Sequence, residues 1–384
     1  MKTIYLDNNA TTKIAPEVLH KMHLFFTKKY GNPSSMHTFG GKIYLDIEQA
    51  RKSIADLIGA DASEVIFTSG GTEGDNTAIM SALHSHPDKK HLITTKVEHP
   101  AILNLCKHLQ TLGYLVTYLD VDKDGLISLD DLKAKITSKT AIISIIYVNN
   151  ETGVISPIEE IAKIAKEHKV LFHTDAVQAV GKLPIDVSTL PVDMLSLSSH
   201  KLHGPKGVGA LYVRGGTKFT PFIIGGHQES GRRGGTENVH GIVGFGKAVE
   251  LMMHHHDTSK IKYLRDKLER GILTSIADTR LNGRKEKRVD NTCNISFAYV
   301  EGEAIILKLD EIGICASSGS ACTSTSLAAS HVLQAMDITS NFIQGSIRFS
   351  LSRYTTEEEI DYVLKKLPPI ITALRKISPY GHKL

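Results

Sequence analysis

The chain has 384 residues, 41% hydrophobic and 22% charged, values that fit a globular chain of one large and one smaller domain and exclude bulk disorder. Lys and Arg total 45 against 41 acidic residues, so the net charge of +4 is mild and supports neither nucleic acid nor a membrane as a partner. No apolar run reaches the roughly eighteen residues of a membrane helix, the N-terminus reads as neither signal nor transit peptide, and four scattered cysteines make no disulfide scaffold, so a reducing cytoplasm is the expected localisation.

From about Ser63 to Arg214, short β-rich runs alternate with longer amphipathic stretches. Val65-Ile66-Phe67-Thr68 precedes a glycine-rich turn and a helical stretch reaching about Leu83. The run 92–95 precedes His99-Pro100, after which Ile102, Leu105, Cys106, Leu109 and Leu112 recur at helical spacing. Next come a β-rich run at 115–119, a helix around 129–136, the long apolar run 141–148, and a helix after Pro157 with Ile158, Ile161, Ala162 and Ala165 on one stripe. Further apolar runs lie at 170–174, 194–198 and 208–213. Continuously apolar strands separated by helices predict an α/β fold whose mostly parallel sheet is covered on both faces. A polar helix ending in His254-His255-His256 leads out of this region. The remainder changes rhythm: a helix, a strand at 294–299, a helix at 303–309, a strand at 346–351 and a closing helix predict a smaller α+β domain.

Polar residues follow each predicted strand: Gly70-Gly71-Thr72, His99, Asn150, Asp175 and Ser198-Ser199-His200-Lys201. In open α/β sheets ligands bind outside the carboxyl ends of the strands, so these exits describe one pocket. Gly70-Gly71-Thr72-Glu73 lies between a strand and a helix, where free backbone N–H groups make an anion site. Neither a Walker loop nor a G-x-G-x-x-G after a strand is present, so a phosphate is expected, but not on a nucleoside triphosphate. Lys201 follows an apolar strand in a run of small, turn-forming residues, which suits a lysine held inside the pocket as a Schiff-base nucleophile. Asp175 ends a buried strand and needs a positive partner; such a carboxylate can keep a pyridinium nitrogen protonated.

Asp175-Ala-Val-Gln178, Ser198-Ser-His-Lys201-Leu-His-Gly-Pro-Lys-Gly and Asn149-Asn150-Glu-Thr-Gly153 resemble the cysteine desulfurases of the NifS/IscS group, within the class-V aminotransferase-like pyridoxal-phosphate enzymes. Further matches are Tyr5-Leu-Asp-Asn-Asn-Ala-Thr-Thr12, Gly31-Asn-Pro-Ser-Ser35, Glu98-His99, Ser317-Ser-Gly-Ser-Ala-Cys322-Thr-Ser and Ile347-Arg348-Phe-Ser-Leu-Ser-Arg353, in order along nearly the whole chain. The resemblance implies a fold-type I enzyme with a seven-stranded sheet in a large domain over residues 15–255. Residues 1–14 with 256–384 would form the small domain carrying the catalytic-cysteine loop.

It also implies pyridoxal 5'-phosphate bound covalently to Lys201, with Asp175 on the ring nitrogen, Gln178 and Asn150 at the ring hydroxyl, and His99 stacked on the ring. Gly71, Thr72, Ser198 and His200 would hold the phosphate. Thr236 would reach the phosphate of a second subunit, making a homodimer. Arg348 would clamp the carboxylate of L-cysteine. Lys201 would remove the Cα proton and His99, with its imidazole near the working pH, would shuttle protons. Cys322, in a run of Ser, Ala, Gly and Thr without apolar periodicity, would take the sulfur as a persulfide. The sulfur would pass to an acceptor protein, such as an iron–sulfur scaffold, or serve tRNA thiolation. No intrinsic metal is expected, although a persulfide on Cys322 can transiently hold an iron–sulfur cluster.

The chain departs from the family pattern at Gly71, often Ala or Cys, and at Gly74, often Ser. It also ends soon after Pro379, without the longer tail that some housekeeping members use to hold the scaffold. Selenocysteine lysis or another pyridoxal-phosphate lyase or aminotransferase reaction stays open as an alternative. A calcium-binding module is a remote one: 120–131 matches much of an EF-hand loop, but 114–119 in front of it reads as a strand. His254-His255-His256 reads as a solvated helix end.

Overall fold

The alternating runs form a seven-stranded sheet in the computed structural model, which describes residues 3–254, 258–318 and 329–379. Its strands lie in the order Val65–Thr68, Gly209–Val213, Met194–Ser198, Leu171–Asp175, Thr140–Ser144, His91–Thr95, Leu115–Leu119. Only Gly209–Val213 runs against its neighbours; the other pairings among consecutive strands are parallel. Both faces are covered, as continuously apolar strands require. One core gathers Ile143, Phe172, Leu195 and Phe67, and a second gathers Ile79, Ile102, Cys106 and Leu211.

Two expectations change. The apolar run 141–148 is a strand only to Ser144. Beyond it the backbone still donates to the strand Leu171–Asp175, from Ile145 N–H to the His173 carbonyl and from Tyr147 N–H to the Asp175 carbonyl. On its other side the neighbouring strand has ended at Thr95, and Ile146 N–H goes instead to the Glu98 side chain at 3.1 Å. The helix Val239–Met253 is not polar: Ile242, Val243, Phe245, Ala248 and Val249 are buried, and it packs against the helices Pro16–Thr27 and Thr38–Ile58. The 120–131 segment has the strand Leu115–Leu119 in front of it and no entering helix. Asp122 turns its carboxylate inward to accept the N–H groups of Asp124 and Leu126.

The second sheet has the order Ser317–Ser318, Ser346–Ser350, Thr292–Phe297, Thr279–Leu281, all antiparallel. The helices Ser259–Ser275 and Glu357–Ile377 cover it, and Ile295, Phe297, Phe349, Ile360 and Leu367 form a separate core. The N-terminus belongs to this sheet's surroundings: Ile4–Tyr5 pairs with Ile314–Cys315, and Asp7 bridges to Ser350. From there, residues 8–12 cross as a strap to the carboxyl edge of the large sheet.

Candidate active site

The carboxyl edge of the large sheet opens into a cavity of about 320 Å³. Every predicted contact lines it except Thr236 and Cys322: Gly71, Thr72, His99, Asn150, Asp175, Gln178, Ser198, His200, Lys201 and Arg348 are all present. Thr236 is exposed and stands away from the cavity, while Cys322 falls outside the described residues.

The glycine turn is built for close approach. Gly70 sits at φ 153, ψ −174, a conformation that side-chain-bearing residues avoid. At Gly71 an added Cβ would stand 2.6 Å from Val177 Cγ2. These two residues let the helix Gly71–Ser85 start directly at the cavity wall, where its first amides have no intrahelical acceptor. Glu73, one turn in, is neutralised by Arg233, whose Nε and Nη2 donate to its carboxylate at 2.9 and 3.2 Å. The same pair ties the Thr236 loop to this helix.

Lys201 occupies a short 3-10 turn after Met194–Ser198, and its Nζ donates to the carbonyls of Asn9 and Ala10 at 2.5 and 2.7 Å. Asp175 is buried and accepts the Val177 N–H at 2.9 Å. Burial pushes its carboxyl up to about 6, against the opposing effects of that hydrogen bond and of Lys201. A buried carboxylate held by a backbone amide in this way is suited to a cationic N–H in the cavity.

His99 caps the helix Pro100–Thr111, and its Nδ1 accepts the Ala101 N–H at 3.2 Å, which places the ring proton on Nε2. The expectation of an imidazole near the working pH changes here. Burial, then Lys201 and His331, push it down to about 4, so the ring is neutral at physiological pH. His200 is likewise pushed down to about 4, by burial first and then by Lys201 and Lys206.

Arg348 reaches the cavity from the second sheet. It is 4% exposed; Nη1 donates to the Asn150 carbonyl at 3.0 Å and Nη2 to Asp7 Oδ1 at 2.8 Å, while Nε has no partner among the described residues. Its planar fork is suited to a carboxylate.

The strap contributes residues that sequence reasoning placed only within a motif. The Asn9 carbonyl accepts from Lys201 Nζ and, at 2.9 Å, from Gln178 Nε2. Asn9 Nδ2 donates to the Asn150 carbonyl and to Thr292 Oγ1, which joins both sheets at this point. Lys182 was missed altogether. Its Nζ donates to Gln178 Oε1 at 2.7 Å and to Asn9 Oδ1 at 3.2 Å, and burial, then Lys201 and Arg348, push its ammonium down to about 7. Asp75 also lines the cavity and was missed. Its position on the stripe Asp75, Ala78, Ile79, Ala82 was the available signal, an acid on a helix's buried face.

A sheet edge presenting a lysine, a buried aspartate and a glycine-opened helix N-terminus defines, with this topology, the fold-type I class of pyridoxal-phosphate enzymes. The model of the aminotransferase class-V family matches residues 4–363. Cysteine desulfurase 2 of Trichormus variabilis is 57% identical over 383 residues, covering 100% of this chain and 96% of its own. Cysteine desulfurase NifS of Azotobacter vinelandii is 52% identical, covering 99% of this chain and 95% of its own. A solved NifS-like protein superposes with a TM-score of 0.92 at 38% identity, over 97% of this chain and 100% of that one. The chain belongs to the class-V aminotransferase family and, within it, to the cysteine desulfurases.

Proposed function

We propose that this enzyme binds pyridoxal 5'-phosphate and converts L-cysteine to L-alanine, leaving the sulfur as a persulfide on Cys322. The observation that carries the reading is the meeting of Lys201, Asp175 and Arg348 in one cavity with the Gly70-Gly71-Thr72 turn. The cofactor would be held at Lys201, with its phosphate at Gly71, Thr72, Ser198 and His200 and its ring nitrogen at Asp175; when bound, it supplies an electron sink for carbon-acid chemistry.

The chain's own groups supply the rest. Arg348 binds the substrate carboxylate and so fixes which Cα–H faces Lys201. Freed Lys201 Nζ takes that proton; in the present structure it donates to the carbonyls of the Asn9-Ala10 strap, at the wall of the same cavity. Neutral His99 donates from Nε2, and Gln178, held by Lys182, offers its amide to the ring hydroxyl together with Asn150. The Cys322 thiolate then attacks the substrate sulfur; an S–S bond forms as the C–S bond breaks, and the three-carbon fragment takes up protons to leave as alanine.

The sulfur would pass to an acceptor protein for iron–sulfur assembly or tRNA thiolation, in the cytoplasm. Two subunits would act together, each Thr236 completing its partner's phosphate site, with a large domain over 15–255 and a small one formed by 1–14 and 256–384. Borohydride reduction of the cofactor-loaded protein, followed by peptide mapping, should label Lys201. Incubation with L-cysteine should yield alanine and a persulfide mapped to Cys322. A label on another lysine, or activity confined to selenocysteine, would displace this reading in favour of a different lyase on the same fold.

A further inference from the structure

Asp75 is 1% exposed, and neither of its carboxyl oxygens makes a close hydrogen bond among the described residues, although the Ser196 hydroxyl approaches it and favours its charged form. It is driven into this position by the helix Gly71–Ser85, which packs so closely on the strand Met194–Ser198 that a Cβ at Gly74 would lie 2.9 Å from Ser196 Oγ. Among the described residues no lysine or arginine pairs with it. His173 lies 3.7 Å away through Nε2, but both its ring nitrogens are committed at 2.9 Å, Nδ1 to Ser144 Oγ and Nε2 to Ser196 Oγ. A neutral imidazole satisfies both hydroxyls, one as donor and one as acceptor, and so brings no charge.

Three further titratable groups face this cluster. Asp175, two residues along the strand from His173, shares the cavity wall with Asp75. Glu98, between the strand His91–Thr95 and its following helix, is fully buried and accepts from Thr95 Oγ1 at 2.7 Å and Ile146 N–H at 3.1 Å. Lys201 directs its Nζ to the Asn9 and Ala10 carbonyls, while Arg348, which lines the same cavity, is paired with Asp7. Three buried carboxyls beside one ammonium cannot all be ionised, because an unpartnered buried carboxylate costs far more than a protonated one.

We propose that Asp75 is a positioning residue, carried as a neutral carboxylic acid, which leaves Asp175 as the anion of the cluster and supports that ionised form by offering it an O–H donor. The inference rests on the reading of Asp175 as the partner of the cofactor's ring nitrogen. The electrostatics agree in direction: burial, then Asp175, and last Glu98 hold the Asp75 carboxyl well above the usual carboxylate range against the opposing hydrogen bond of Ser196, and burial pushes Glu98 up to about 8. Neutral Asp75 and Glu98 surround Asp175 with polar but uncharged groups. An ionised Asp75 would instead drive a proton onto Asp175 and remove the charge that a pyridinium requires.

Infrared spectroscopy of the full chain with carboxyl-13C aspartate tests this at pH 8, with and without the cofactor. The expected result is a protonated-carboxyl band that shifts with the aspartate label, which separates it from Glu98, and that vanishes in Asp75→Asn. The carboxylate band of Asp175, assigned by its loss in Asp175→Asn, supplies a titration midpoint. In Asp75→Asn, a neutral group of the same shape that can still donate, the midpoint should stay within about half a unit of the parent. In Asp75→Ala, which removes the donor, it should rise by about one unit or more.

Absence of a protonated aspartate band in the parent chain overturns the proposal, whether or not the variants fold. So does a fall of about one unit or more in the Asp175 midpoint in Asp75→Asn, the signature of a removed like charge. Failure of the ring-nitrogen reading would appear separately, as full turnover by Asp175→Asn with the Asp75 band unchanged.

Discussion

Gly71→Ala tests whether the phosphate turn and the strand exit at Val177 were sized for each other. The backbone at Gly71 lies outside the positive-φ region, so alanine incurs no conformational strain there, and the cost is steric. The new Cβ would stand 2.6 Å from Val177 Cγ2, about 1 Å inside a normal carbon–carbon contact, while Val177 Cβ and Ser198 Cβ are comfortable at 3.8 and 3.9 Å. Relief requires an off-rotamer Val177, at about 0.5–1.5 kcal/mol, or a shift of the helix start, within the ~1–3 kcal/mol typical of overpacking. A shifted helix start moves the very amides that meet the phosphate. Gly71→Ala should therefore weaken cofactor affinity by about 5- to 150-fold, as ~1–3 kcal/mol implies. Gly71→Ala/Val177→Ala removes the clashing methyl and should recover most of that loss, read by cofactor titration alongside urea unfolding of the cofactor-free chain. If Gly71→Ala binds cofactor like the parent, or if the double variant is no better than the single one, the steric argument is refuted.

Three other outcomes follow from the site. Arg348→Lys keeps the charge but loses one of two N–H donors to the substrate carboxylate, worth about 1.5–3 kcal/mol, so KM for cysteine should rise about 10- to 150-fold with kcat nearly unchanged; steady-state kinetics showing an unchanged KM would remove Arg348 from substrate binding. In the cofactor-free chain the raised Asp175 carboxyl makes ionisation costly to the fold. The cost is absent below the unfolded value near 4 and fully present above about 6. Asp175→Asn should then be more stable than the parent by on the order of 2 kcal/mol at pH 8 and equal to it near pH 4, a gap measurable by denaturant titration at the two pH values. Cys322→Ser should still bind cysteine, seen as a change in cofactor absorbance, but form no alanine; alanine at the parent rate would rule out the persulfide route.

Local pattern carried the large sheet and its exits. The runs at 65–68, 92–95 and 194–198 are buried along their whole length because both faces are covered, while the edge run 115–119 leaves Leu115 exposed, and polar groups mark the ends because ligands and turns are found there. Those two facts brought Gly71, His99, Asp175 and Lys201 to one edge. Arg348 was different: its place rested on a motif, since no periodicity says that a strand near the C-terminus will meet Asp7, 341 residues away.

The helix Val239–Met253 was misread for a related reason. Its histidine-rich end was visible, but its burial depends on two helices from the first 58 residues, with Ala50 so close that a Cβ at Gly246 would stand 2.7 Å from it. Protonation states lie further still from local pattern. An isolated His99 would titrate near neutrality, an isolated Lys182 would be an ordinary cation, and an isolated Asp75 would be an ordinary anion. Their shifts come from loss of water and from charges supplied by distant segments, quantities that exist only once the chain has closed around them.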